Sequence, residues 1–151
     1  LLLALDSLKD PQNFGSLLRT AEAVGVHGVI LPNRRSVSVT PAVSRASVGA
    51  IEHLHVARIT NLVRTLEALM EERIWVVGVE KHPQAQDYRE LDLDMALVLV
   101  VGSEGKGMRR LVAETCDFLL RIPMVGRINS LNVSVAGSIM LYRAWDARQP
   151  D

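Results

Sequence analysis

The chain of 151 residues is short of several things at once, and each shortage excludes something. A single cysteine, Cys116, leaves no disulfide framework and no cysteine-based zinc site. Lying just before Asp117 and an apolar run, it reads as a small buried hydrophobe. The four histidines, at 27, 53, 55 and 82, lack metal-ligand spacing and acidic company, so no metal is expected. No apolar run approaches the roughly 20 residues that span a bilayer. The opening Leu-Leu-Leu-Ala-Leu is too short, and lacks the basic flank, for a secretory signal. The expectation is a cytoplasmic protein with no membrane contact. Excess charge is missing too: 17 Lys and Arg stand against 17 Asp and Glu. A domain that held nucleic acid by bulk charge would be basic, so any such contact must be a local patch. Leu1 is not an initiator methionine, which points to a chain beginning inside a larger gene product.

What is present fits one globular domain over residues 1–151, with 48% hydrophobic and 23% charged residues. Short apolar runs predict six strands: Leu1–Leu5, Val26–Leu31, Leu54–Ile59, Ile74–Val79, Ala96–Val101 and Phe118–Ile122. Several are apolar throughout rather than alternating, as expected where both faces of a sheet are covered. Between them lie helix signals. Gln12–Val24 and Met108–Glu114 are plausible helices, and Asn129 to Trp145 is the longest. Thr40-Pro41 reads as an N-cap followed by proline at the first helical position. Asn61 can cap a helix that turns Leu62, Leu66, Leu69 and Met70 to one side. The alternation predicts α/β, a mainly parallel six-stranded sheet flanked by helices, with a loop through Pro83–Asp94.

Ligands of open α/β sheets bind at the carboxyl ends of the strands. Three strand exits are rich in Gly, Asn, Ser and charge: Asp6–Ala21, Gly102–Met108 and Pro123–Ser134. The exit after the second strand, Pro32-Asn-Arg-Arg, is basic. Common nucleotide motifs fail. A P-loop would need Gly at 100 and Ser or Thr at 107, where Val100 and Gly107 stand. No Gly-x-Gly-x-x-Gly follows any strand.

The three exits together are recognisable. Asn13-Phe-Gly-Ser-Leu-Leu-Arg19-Thr-Ala, Gly102-Ser-Glu104-Gly-Lys-Gly-Met, and Ile122-Pro-Met-Val-Gly126 followed by Ser130-Leu-Asn132-Val-Ser-Val-Ala resemble the three motifs of the SpoU/TrmH family. These are SPOUT-superfamily RNA ribose methyltransferases that use S-adenosylmethionine. The resemblance runs in order over essentially the whole chain, and Thr60-Asn-Leu-Val-Arg-Thr-Leu with Ile74-Trp-Val-Val-Gly looks most like the branch that methylates a guanosine of 23S ribosomal RNA. It implies a SPOUT (α/β knot) fold with a C-terminal trefoil knot, which connection rules alone would never propose. It also implies a homodimer with cofactor pockets near the interface, and an amino-terminal RNA-binding domain absent from this chain. Small residues at 16, 20 and 23 and at 134, 137 and 138 permit close helix packing, either between subunits or within one.

Carried onto this sequence, the resemblance makes Arg19 the catalytic arginine. A guanidinium stays charged, so clamping an RNA phosphate and stabilising alkoxide charge suits it better than abstracting a proton. Taken alone it would read as a solvated helix arginine. Asn13 would position Arg19 or the ribose, or else cap a helix. Glu104 would orient loop partners or the acceptor nucleotide, or else be a turn acid near a helix start. Ser130 and Asn132 would hydrogen-bond around the reacting centre, and both also suit helix caps. Cofactor contacts, mostly main-chain, fall at Gly102, Ile122 and Leu131, with Ser103, Met124 and Gly126 lining the pocket; glycine at 102 would let backbone approach the ligand. Arginine outnumbers lysine 14 to 3, and Arg109, Arg110, Lys106, Arg127, Arg34, Arg35 and Arg45 are the RNA-facing candidates, with the first two foremost. Transfer RNA is the rival substrate, and a non-catalytic RNA-binding domain the rival role.

Overall fold

The computed structural model describes residues 1–150. The apolar runs become β1 (Leu2–Leu5), β2 (Gly28–Pro32), β3 (Val56–Ile59), β4 (Trp75–Val79), β6 (Leu97–Val101) and β7 (Phe118–Arg121). A further strand, β5, is only Gln86–Asp87 and falls inside the stretch read as a loop, so the sheet has seven strands rather than six. Two polar residues carry no periodicity; pairing with β7, Gln86 to Leu120 and Asp87 to Arg121, is what makes them a strand. The order is β3-β2-β1-β6-β4-β7-β5, with each neighbouring pair parallel.

Both faces of the sheet are covered, which accounts for strands without a polar side. Leu3, Leu5, Val29, Leu31, Leu97, Leu99 and Val101 point into one core with Leu17, Leu18, Met140 and Leu141. The alternate residues Ala4, Ile30, Val98 and Val100 enter a second core with Leu62, Leu66 and Val112. Five helices supply these layers: α1 (Pro11–Ala23), α2 (Pro41–Ala46) and α5 (Val133–Asp146) for the first, α3 (Leu62–Glu71) and α4 (Arg110–Thr115) for the second. Each fully buried leucine contributes about 1.5–3 kcal/mol.

The caps explain the helix bounds. Thr40 and Asn61 accept from the N–H groups of Val43 and Arg64, as their positions predict. The cap of α1 is Asp10, one residue before Pro11, and not Asn13. The last helix begins at Val133 rather than Asn129, because Asn132 takes the N–H groups of Ser134 and Val135. Gly15 seats α1 on α2: a Cβ there would lie 2.3 Å from Cβ of Ala46 and 2.8 Å from its carbonyl carbon. Even alanine would force the helices apart. Of the small residues of α1 and α5, Thr20, Gly137 and Ser138 pack within the chain, with Thr20 Oγ1 and Ser138 Oγ 2.8 Å apart and Gly137 against Leu17, while Ser16 and Ala23 are exposed. Among the described residues no helix is long and apolar enough to cross a membrane.

Candidate active site at the carboxyl edge of the sheet

A cavity of about 920 Å³ opens where β6, β4 and β7 end, with the first turn of α1 at its rim. That is within the range of small-molecule sites, about 300–1,000 Å³. The three strand exits singled out in the sequence converge on it. Asn132 Nδ2 donates to Asn13 Oδ1 at 2.9 Å, and Asn13 Nδ2 donates to Glu104 Oε1 at 3.3 Å. Asp10 joins them: its N–H donates to Glu104 Oε1 at 3.3 Å, and its carboxylate accepts from Asn13 at 3.4 Å. Asn132 therefore caps α5 with its oxygen while its nitrogen reaches across to the α1 segment.

Gly102, Ser103, Ile122, Met124, Gly126, Ser130 and Leu131 all line the cavity. The reason for glycine at 102 differs from the expected one. A Cβ there would sit 2.3 Å from the carbonyl carbon of Gly107 and 2.4 Å from the nitrogen of Met108. The loop's own backbone fills that space, and the N–H and hydroxyl of Ser103 donate to the Gly107 carbonyl at 3.0 and 3.1 Å to keep it folded. From Ile122 to Leu131, no main-chain group hydrogen-bonds to another among the described residues, nor does any side chain of the segment. The segment is exposed beyond Pro123, so these groups are left to water and are available to a ligand on the cavity wall.

Arg19 is elsewhere. It is exposed, makes no ion pair or hydrogen bond among the described residues, and is absent from the cavity lining. Six residues along α1 from Asn13, it points about 120° away from it around the helix. Of the cations expected to face RNA, Lys106 lines the cavity and Arg127 lies between two lining residues, Gly126 and Ile128. Arg109 is bound: its N–H and Nε each donate to the fully buried Asp6 carboxylate at 2.7 Å. Arg110 pairs with Glu114 at 3.1 Å along α4. Arg34, Arg35 and Arg45 are exposed on the loop after β2 and on α2, away from the cavity lining.

Several residues were missed. Glu80 follows β4 and lines the cavity; its Oε2 accepts from the Met108 N–H at 2.8 Å, and Gly107, at φ +70°, leaves room for the carboxylate. Lys81 and Arg121 line the same wall, with Arg121 Nε donating to the Ala85 carbonyl at 3.1 Å. An acid straight after an apolar run was the available signal for both Asp6 and Glu80, and Asp-Pro before a helix was the signal for Asp10. Cys116 is not a nucleophile. Burial, with Asp117, Asp6 and Glu80 nearby, pushes its thiol up to about 12, and it donates to the Val112 carbonyl.

Fold and site define a parallel α/β domain with one ligand crevice built from motifs far apart in the sequence. The chain belongs to the SpoU rRNA Methylase family, which it matches over residues 1–142. It is 54% identical, over 148 residues, to the putative TrmH family tRNA/rRNA methyltransferase YacO of Bacillus subtilis, covering 98% of this chain and 59% of that protein. The crystal structure of the SpoU methyltransferase AviRb from Streptomyces viridochromogenes in complex with AdoMet superposes with a TM-score of 0.89 at 29% identity, covering 98% of this chain and 60% of that one. The TrmH/SpoU tRNA modifying enzyme of A. aeolicus gives a TM-score of 0.88 at 29% identity, covering 98% and 74%. The chain thus spans 59% of the length of the curated relatives it matches.

Proposed function

We propose that this chain is the catalytic part of an RNA ribose 2′-O-methyltransferase using S-adenosylmethionine. The observation that carries the reading is the Asn132–Asn13–Glu104 chain of hydrogen bonds, which ties all three motifs together beside a wall of unspent main-chain groups. The residues present fit the cofactor. Ile122, Met124 and Leu131 offer apolar surface and their free main-chain edges for an adenine, and Glu80, Glu104 and Asp10 supply negative charge near a sulfonium and an ammonium. When bound, S-adenosylmethionine supplies a methyl group activated on sulfur.

The chain's own residues then have distinct tasks. Asn132 and Asn13, held by the hydrogen bond between their side-chain amides, orient the acceptor ribose so that the hydroxyl is aligned for attack. Glu104 fixes Asn13 in turn. Ser130 offers a hydroxyl on the cavity wall. Arg19 clamps the neighbouring phosphate and stabilises the developing alkoxide. Its place outside the cavity lining, turned away from Asn13 on α1, favours a homodimer in which Arg19 serves the crevice of the other copy. Val135, Tyr142 and Trp145, exposed on α5 beside α1, give that contact an apolar face. We read the target as a guanosine of 23S ribosomal RNA, with transfer RNA as the alternative. We also read the sheet order as knotted: residues 80–96 leave β4, skirt β7 to make β5 and return to β6, while the chain leaving β7 continues to α5.

Mixing two inactive variants tests this. Arg19→Ala and Asn132→Ser should each lose methyl transfer to RNA while still binding S-adenosylhomocysteine. Co-refolded, they should regain activity, because one crevice of each mixed pair has both residues intact. No activity in the mixture would place Arg19 in its own subunit's site or outside the reaction.

A further inference from the structure

Taking the chain as an RNA methyltransferase, as proposed above, we infer that the RNA next to the target ribose lies across the β2 side of the carboxyl edge, over residues 33–40 and α2, and not over α4. Residues 23–51 contain Arg34, Arg35 and Arg45 and no acid at all, where 17 acids in 151 residues would put about three. The three arginines are exposed, and none makes an ion pair or hydrogen bond among the described residues. At the opposite edge the charge is mixed. Asp87, Glu90, Asp92 and Asp94 follow one another around β5, where Arg89 pairs with Asp87 at 2.6 Å and Arg121 and Arg148 stand beside Asp87 and Asp94. A chain that is neutral as a whole therefore keeps its uncompensated cations on the β2 side, while at the β5 edge acids and arginines stand together. Such a field draws a polyanion to one side and orients it.

The cationic loop lies outside the cavity lining but is held in place by the segment that ends at the crevice rim. Glu104 at the rim accepts from Asp10, and the 6–10 segment in turn receives the next loop: the Val37 N–H donates to the Leu8 carbonyl at 2.8 Å. Lys9 is exposed on that connecting segment. From below, Arg58 Nη2 donates to the Val37 carbonyl at 3.3 Å, and the Asn33 N–H to that of Ile59 at 2.8 Å. Arg45 precedes Ala46, the residue packed on Gly15 of α1. By contrast, α4 is compensated. Arg109 is tethered by its N–H and Nε to the fully buried Asp6, which fixes its fork in place and offsets its charge. Backbone phosphates are what unpaired, fork-shaped cations on a fixed loop suit.

The test is fluorescence anisotropy of a labelled, unstructured oligoribonucleotide across a salt series, with calorimetric binding of S-adenosylhomocysteine in parallel. The triple variant R34A/R35A/R45A should bind RNA about tenfold more weakly or worse. Its slope of log affinity on log salt should shrink by about 2, since each phosphate contact to a single strand carries about 0.7. The R34K/R35K/R45K variant should keep the slope, and R110A should change neither quantity. An unaltered slope in the alanine triple variant, an effect of R110A equal to it, or no RNA binding by the unmutated chain at low salt would each overturn the inference. Equal competition by polyglutamate of matched charge would also overturn it and reassign the surface to an acidic protein. S-adenosylhomocysteine should bind all variants alike; its failure to bind even the unmutated chain would instead sink the methyltransferase reading.

Discussion

Asn132 shows how one side chain can hold a helix and a crevice together. Its oxygen takes the N–H groups of Ser134 and Val135 while its nitrogen donates to Asn13. Replacement by alanine should cost about 1 kcal/mol of stability for the lost cap and should abolish methyl transfer. Replacement by serine keeps a capping oxygen but is too short to reach Asn13, so urea denaturation should return close to normal while activity stays lost. Equal activity in the serine variant would show that the bridge does no chemistry. At this scale the sequence was legible for Asn13, Glu104 and Asn132, whose types and intervals matched known motifs. For Glu80 it gave a position after an apolar run but not its partner, the backbone of Met108, and it did not give the purpose of Gly102, whose missing Cβ makes room for Gly107.

Among the elements, those that follow from local chemistry were visible and those made by distant pairing were not. Thr40-Pro41 and Asn61 announce helices because a cap is a local hydrogen bond. β5 has no such signal; it exists because Gln86 and Asp87 line up beside β7. Its end is fixed by Asp87, which accepts from the N–H and Nε of Arg89 at 3.0 and 2.9 Å and from Nη2 at 2.6 Å. These bonds, chiefly from the Arg89 side chain, hold the Asp87 carboxyl down from 3.8 to about 2. A carboxylate depressed in the folded chain stabilises it above the unfolded value, and that share is lost as pH falls through the folded one. Between about pH 4 and 2 the native chain should therefore lose stability more steeply than an Asp87→Asn variant, as followed by urea denaturation at each pH. Parallel curves would mean that the pair is inert.

For the molecule as a whole, continuous apolar strands with helices between them were enough to predict a parallel sheet covered on both faces, and two cores of alternate residues bear that out. The acid-free cationic stretch at residues 23–51 was hidden, because a net charge of zero averages over the whole chain. Ligand binding is a property at this scale, since the crevice exists only when all three strand exits are in place. S-adenosylhomocysteine at a hundredfold excess over its dissociation constant should raise stability by about 2.7 kcal/mol, read as a shift of the whole denaturation curve. No shift at millimolar ligand would mean that the crevice binds something else.

The segment from Ile122 to Leu131 has a further consequence. Because it shares no main-chain hydrogen bond with the rest of the chain, an occupant of the crevice can bond to it without displacing any bond already made. Such an occupant would take up donors and acceptors that the folded chain leaves to water, while the strands beneath keep their own ladder.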